Sequence, residues 1–356
     1  MLSSKFALPW PSAALLSAAL FGASTPLAKL LLGEGIDPWL LAGLLYLGSG
    51  IGLGCFHYLR KASGRISAEA PIRRSSLPWL ALVILSGGVV GPLLLMLGLR
   101  LASAASASLL LNLEGLATMA IAWVVFRENA DKRILIGAAA ILAGAVLLSW
   151  SGGPTGFGLG GFLIAGACLA WGIDNNLTRK FSNADPVQIA AVKGVVAGGV
   201  NLALALGNGA QFPATGLIGG AALIGLFGYG VSLVLFVLAL RHLGSARTGA
   251  YFSTAPFMGA MLALLLFHEP ITIRLVLSAI LMGVGLWLHL AERHEHEHVH
   301  DEMEHEHRHV HDEHHRHAHL ATDPPGEPHT HSHRHSVMTH KHPHYPDMHH
   351  RHEHSS

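Results

Sequence analysis

Glu114 stands near the middle of an apolar run from Ala104 to Phe126 that is long enough to cross a bilayer. A carboxylate at that depth costs a few kcal/mol, so it is expected to face a bundle interior or a wet cavity. On a 3.6-residue period Glu114 shares a narrow stripe with Ser103, Ala107, Leu110, Ala117 and Ile121, while Asn112 falls on roughly the opposite face. Two roles fit Glu114: a ligand for a substrate amine or a coupling proton, or a structural hydrogen bond to a neighbouring helix. Asp174 and Lys193 form a second candidate. They flank one short connection and are expected at similar depth, roughly 7–10 Å inside one face, where an ion pair lets both be tolerated. That pair reads either as structural or as a gate that breaks during a transport cycle. Asn175 and Asn176 complete a polar turn beside it. Tyr229 is the remaining candidate in the apolar body, among Gly225, Gly228 and Gly230. Those glycines, like Gly87, Gly88 and Gly91 in an earlier segment, read as close-packing and hinge positions. Lys29 reads as a side chain that snorkels to headgroups or meets an anionic group.

A different chemistry fills the C-terminus. Residues 292–356 hold 23 of the 27 histidines and almost no apolar side chains. His294, His296, His298 and His300 alternate with Glu and Val, and His305, His307, His309, His311, His314 and His315 continue the pattern. Spacing of two puts imidazoles on one side of an extended chain, and spacing of four permits helical pairs. Imidazole with carboxylate suits a divalent transition metal such as Zn, Ni or Co. With nothing to bury, the tail is expected to be disordered without metal. Buffering, sensing and adventitious binding all fit that composition.

The elements that must position these groups follow from composition. The chain is 51% apolar and 13% charged, about half the charge of a soluble domain. Apolar segments near spanning length fall at 12–32, 38–59, 78–99, 104–126, 133–151, 157–178, 187–206, 216–240, 246–267 and 273–291. Ten helices are therefore expected. Alternate loops carry Arg60, Lys61, Arg65, Arg73 and Arg74, then Arg127, Lys132 and Arg133, then Arg179 and Lys180, then Arg241 and Arg247. The other loops hold only Arg100 and Arg274, so the positive-inside rule places both termini in the cytoplasm. Cys55 and Cys168 lie inside apolar segments and read as packing residues, with no disulfide or metal motif.

The apolar body repeats. A shift of 141 residues superposes Arg100 on Arg241, Ala105 on Ala246, Phe126 on Phe267 and Glu128 on Glu269. Phe21-Gly22 and Lys29 similarly match Trp171-Gly172 and Arg179. Five helices per half is an odd number, so the halves run through the membrane in opposite senses, with a site expected at midplane between them. These features, with Pro26-x-x-Lys29, Phe126-x-Glu128, Phe267-x-Glu269 and Trp171-Gly172, resemble the drug/metabolite transporter superfamily, EamA type, over roughly residues 10–290. The resemblance implies an all-α membrane permease of two inverted five-helix repeats, residues 1–151 and 152–291, followed by the tail at 292–356. In that family a proline usually interrupts the fourth and ninth helices. Pro256 supplies it in the ninth, but Glu114-Gly115 stands in its place in the fourth, so a kink there lacks its usual cause.

The function expected is secondary transport of a small organic solute, import or export, by alternating access, with a metal-binding tail. Nothing resembles a nucleotide-binding loop, no cofactor is required, and no enzyme activity is expected. The alternatives are a transition-metal transporter and a membrane-anchored metal buffer or sensor. Against the first, His57, His242, His268 and His289 all stand near helix ends rather than mid-membrane. The location expected is the inner (plasma) membrane. Expected partners are lipid, the solute and divalent metal ions, not nucleic acid, with homodimerisation left open.

Overall fold

A computed structural model describes residues 9–63, 76–126, 132–150, 158–178 and 185–290, together with four short strands in the tail. The helices form one compact unit and the tail from Glu292 forms another. In chain order the helices are α1 (Trp10–Gly33), α2 (Pro38–Ala62), α3 (Leu77–Val83, Ile84–Val90 and Gly91–Leu101) and α4 in two pieces, α4a (Ala104–Leu110) and α4b (Leu113–Phe126). Then come α5 (Lys132–Ser149), α6 (Leu159–Thr178), α7 (Pro186–Gly207) and α8 (Thr215–Gly225, Leu226–Val231 and Ser232–Leu243). The last are α9a (Ser245–Phe252), α9b (Ala255–Phe267) and α10 (Ile273–Leu290). Nine of these rods, among the described residues, are long and apolar enough to cross a membrane. The one that falls short of the expected ten is α6. It has the length, but its Asp174-Asn175-Asn176 turn makes it more polar than the rest.

The two halves are built by the same local devices. Asp37 and Asp185 cap α2 and α7, each followed by a proline at the first helical position: Asp37 Oδ1 accepts from Trp39 and Leu40 N–H, and Asp185 Oδ1 from Val187 N–H. A π-helical stretch interrupts α3 at Ile84–Val90 and α8 at Leu226–Val231, the matching place one repeat later. Such stretches widen the helix by about one residue per turn and free carbonyls for other donors.

Both α4 and α9 are broken near their middles. In α9 the break is Ser253-Thr254, ahead of Pro256, with the Thr254 hydroxyl bonded back to Tyr251 O at 2.6 Å. In α4 the break is Leu111-Asn112, and here the sequence offered no cause. The cause is Asn112, whose Nδ2 donates to Leu109 O at 2.8 Å and competes with the helical ladder. Amide N–H groups of Leu111, Asn112 and Glu114 turn tightly onto Ser108, Leu109 and Leu111 carbonyls. The single stripe expected from Ser103 through Glu114 to Ile121 is therefore split, because Ser103, Ala107 and Leu110 lie on the other side of the break.

Packing exchanges the first helix of each half. The α1 helix lies against α8 and α9, whereas α6 lies against α3 and α4. Between them α2 packs on α7 and α5 on α10. The α2–α7 seam is so close that a Cβ on Gly194 would stand 2.6 Å from Gly50 Cα, an approach that small residues alone permit. Outward faces carry Val124, Leu265 and Ile273, 68–80% exposed, which suits lipid rather than water.

In the tail, expected to be disordered without metal, four segments are described as strands. His294–His300 (β1) pairs antiparallel with Met338–His344 (β4), and Met303–His309 (β2) with His329–His335 (β3). The period-two His pattern is what an extended backbone presents on one face. His311, His314 and His315 lie outside the described residues.

Candidate functional site

The break in α4 places Glu114 in the first turn of α4b, beside α6. Its Oε1 accepts from Asn175 Nδ2 at 3.1 Å, and the same amide lies 3.1 Å from Thr118 Oγ1. The Thr118 hydroxyl in turn donates to Glu114 O at 2.9 Å. The next residue, Asn176, donates from Nδ2 to Thr118 O at 3.0 Å and to Gly172 O at 2.8 Å. Two consecutive asparagines thus sew α6 to α4b, and Gly172 lets the backbones meet: its Cβ would stand 3.0 Å from Thr118 N. Glu114 is half-buried, Asn175 exposed and Asn176 buried.

Asp174 points the other way, toward α3 and α7. Its Oδ2 forms an ion pair with Lys193 Nζ, and Thr178 Oγ1 donates to Oδ1 at 3.3 Å. The carboxylate fills the space where Gly87 would carry a Cβ, since Oδ2 would lie 2.0 Å from that atom. Gly87 belongs to the π-helical stretch of α3, and its carbonyl is shared by two aromatic donors. Tyr46 OH reaches it at 2.7 Å and Trp171 Nε1 at 3.0 Å. The next carbonyl, Gly88 O, accepts from Asn201 Nδ2 at 2.9 Å. Side chains from α2, α6 and α7 therefore converge on the acceptors that the wide turn releases.

Of the residues expected at a site, the structure brings together Glu114, Asp174, Asn175, Asn176 and Lys193. Tyr229 lies at the cluster's aromatic margin, its ring centroid 5.7 Å from Tyr46 and 6.1 Å from Phe21. Asn112 stands apart, buried, with its amide on its own turn and 3.8 Å from Met282 Sδ. Tyr46, Trp171 and Thr118 escaped the sequence as site residues. Trp171 was visible only as part of a repeat, and nothing local marks Tyr46 or Thr118.

A pseudo-equivalent cleft, built from α1 and α2 against α8 and α9, shows the same backbone with the chemistry removed. Gly228 lies against Ser24 as Gly87 lies against Asp174, the two glycines being 141 residues apart. Ala255 stands at the place of Glu114, and Leu45 at that of Lys193 when the two Asp-Pro caps are aligned. One of two pseudo-equivalent clefts is charged.

The model of the EamA-like transporter family matches residues 8–150 and 158–291, once per half. The chain belongs to the EamA-like transporter family. This EamA-like transporter is similar to an uncharacterized transporter of Methanothermobacter thermautotrophicus, 30% identical over 295 residues, which span 78% of this chain and 85% of the relative. A solved crystal structure covers 78% of this chain and 95% of its own with a TM-score of 0.57; at 20% identity it bears on the fold alone. Membership makes the helical unit a multi-pass membrane transporter and matches the resemblance that the two halves carry in sequence.

Proposed function

We propose that this EamA-like transporter moves a small organic solute bearing an amine, by rocking its inverted halves around the cleft lined by Glu114, Asn175 and Thr118. The observation that carries this reading is the charge balance of the cluster. Lys193 is engaged by Asp174, while Glu114 is held by the neutral amide of Asn175. With all three ionised, the cluster has one negative charge in excess. A cation from outside the protein, a substrate ammonium or a coupling proton, supplies the balance. An exposed amide and a half-buried carboxylate in a spanning segment also call for a wet cleft rather than acyl chains. Export and import are both compatible with alternating access. The orientation with both termini in the cytoplasm of a plasma membrane rests on the loop charges.

The test is uptake by proteoliposomes holding the full chain, with a panel of amines, amino acids and organic acids at several pH values. Amines transported by the parent should fall to background with Glu114→Gln. Transport by that variant that stayed pH-dependent would count against Glu114 as the proton carrier. A panel in which only acids moved would sink the amine reading.

The tail is proposed as a divalent-metal binder, with His294, His296, His298, His300, His305, His307, His309, His311, His314 and His315 as ligands. Its support is the His-x-His spacing with interleaved carboxylates. Purified full-length protein equilibrated with Zn or Ni should retain several ions by elemental analysis, and a chain ending at residue 291 almost none. Equal retention by both would overturn it.

A further inference from the structure

The corner between α3 and α4a leaves backbone groups of both signs without helical partners: carbonyls where α3 ends and N–H groups where α4a begins. Ser103 Oγ takes one N–H, that of Ser106, at 3.2 Å. Four more are answered by Glu269 and Lys29. Both oxygens of Glu269 are used, Oε1 accepting from Ala104 N at 2.7 Å and Oε2 from Ala105 N at 3.0 Å. Lys29 Nζ donates to Leu99 O and, at 3.0 Å, to Ala102 O. Lys29 is thus turned inward onto carbonyls instead of reaching headgroups. Glu269 follows His268, which takes φ 50° and ψ 37°, a left-handed conformation that is unfavourable for a side-chain-bearing residue.

These bonds have a direction. Lys29 is on α1, which packs on α8 and α9, and Glu269 lies just past α9b. Of their partners, Leu99 and Ala102 close α3, which packs on α6, while Ala104 and Ala105 open α4a, which packs chiefly on α9b and α1. The Lys29 bonds therefore join α1 to the end of α3, and the Glu269 bonds tie the end of α9b to the start of α4a. We propose that Lys29 and Glu269 are gate residues of the transport cycle, holding this end of the bundle shut and releasing it when the site opens there.

Two features favour a gate over a permanent brace. The bonds are made by charged groups to backbone, so each can be exchanged for water when the end opens. The repeat also supplies the same pair once more: Arg179 and Glu128 stand at the places of Lys29 and Glu269, assigned by sequence to the opposite end. The matching corner there, before α9a, turns at Gly244 with φ 81° and has no side-chain cap of its own. Arg179 and Glu128 lie outside the described residues, so the second pair is an expectation from the repeat alone, and one that alternating access would use.

Thiol labelling reads the gate directly. Ser108 is buried on α4a and faces α1 and α9, its Oγ 3.1 Å from where Gly259 would carry a Cβ. In full-length protein with Cys55 and Cys168 replaced by Ser and Ala, Ser108→Cys should react slowly with a membrane-impermeant thiol reagent. Adding Glu269→Ala, or separately Lys29→Met, should raise that rate about tenfold from the face on which this corner opens. Lys29→Arg, which keeps the donors, should leave it near the parental value. Each of the first two substitutions tests the gate alone, so the loss of one to misfolding leaves the other. Parental labelling in a variant that elutes as the parent does overturns the proposal, and so does equal acceleration by Lys29→Arg and Lys29→Met.

Discussion

Lys193→Met is expected to abolish transport and to cut the folded yield sharply, because it leaves Asp174 buried without its cation. Breaking one side of a buried pair costs about 3–5 kcal/mol, whereas replacing both partners by well-packed neutral groups is often neutral. The protein already contains the neutral solution. In the pseudo-equivalent cleft Ser24 stands opposite Gly228, and Leu45 occupies the place of Lys193. The double variant Asp174→Ser with Lys193→Leu copies that arrangement into the charged cleft. It should recover most of the thermal stability lost by Lys193→Met, read as the midpoint of aggregation followed by size-exclusion chromatography. Transport should not recover. If the double variant transports as the parent does, the pair is only structural, and if it is no more stable than the single, the pseudo-symmetry is misassigned.

That asymmetry also explains what the sequence could show. The bundle was legible because spans of apolar residues and the sign of loop charges are local signals, and because two halves repeat each other over 141 positions. The Asp174–Lys193 pair was legible for a similar reason: one short connection fixes both at the same depth. Glu114 and Asn175 are 61 residues apart, and nothing between them fixes the rotation of α4 against α6. That rotation depends on the break at Leu111-Asn112, made by an asparagine amide rather than by the proline one looks for. Tyr46 and Trp171 were hidden for another reason. They matter because Gly87 offers an unclaimed carbonyl, and a π-helical turn has no pattern in hydrophobic periodicity. The exchange of α1 and α6 between halves is tertiary and leaves no trace in either helix alone.

A large purely structural effect is expected at Gly194. A Cβ there would lie 2.6 Å from Gly50 Cα, 2.7 Å from Gly50 N and 2.9 Å from Tyr46 O. All three atoms are backbone, so no flexible side chain can swing away, and α2 must move bodily from α7. Overpacking of a tight core costs about 1–3 kcal/mol where side chains can adjust, and this seam offers only backbone. Gly194→Ala should therefore lower the thermal midpoint clearly, and Gly194→Leu should leave little monodisperse protein. Function should suffer before folding does. Tyr46 sits on the displaced turn of α2, and its bond to Gly87 O is one of two that fix the wide turn beside Asp174. In Gly194→Ala, transport should thus fall by a larger factor than the folded fraction. Gly199, whose Cβ meets nothing within 4 Å, provides the control on the same helix, and Gly199→Ala should change neither. Should Gly194→Ala and Gly199→Ala behave alike, the α2–α7 seam is looser than described, and with it the placement of every donor that Gly87 holds.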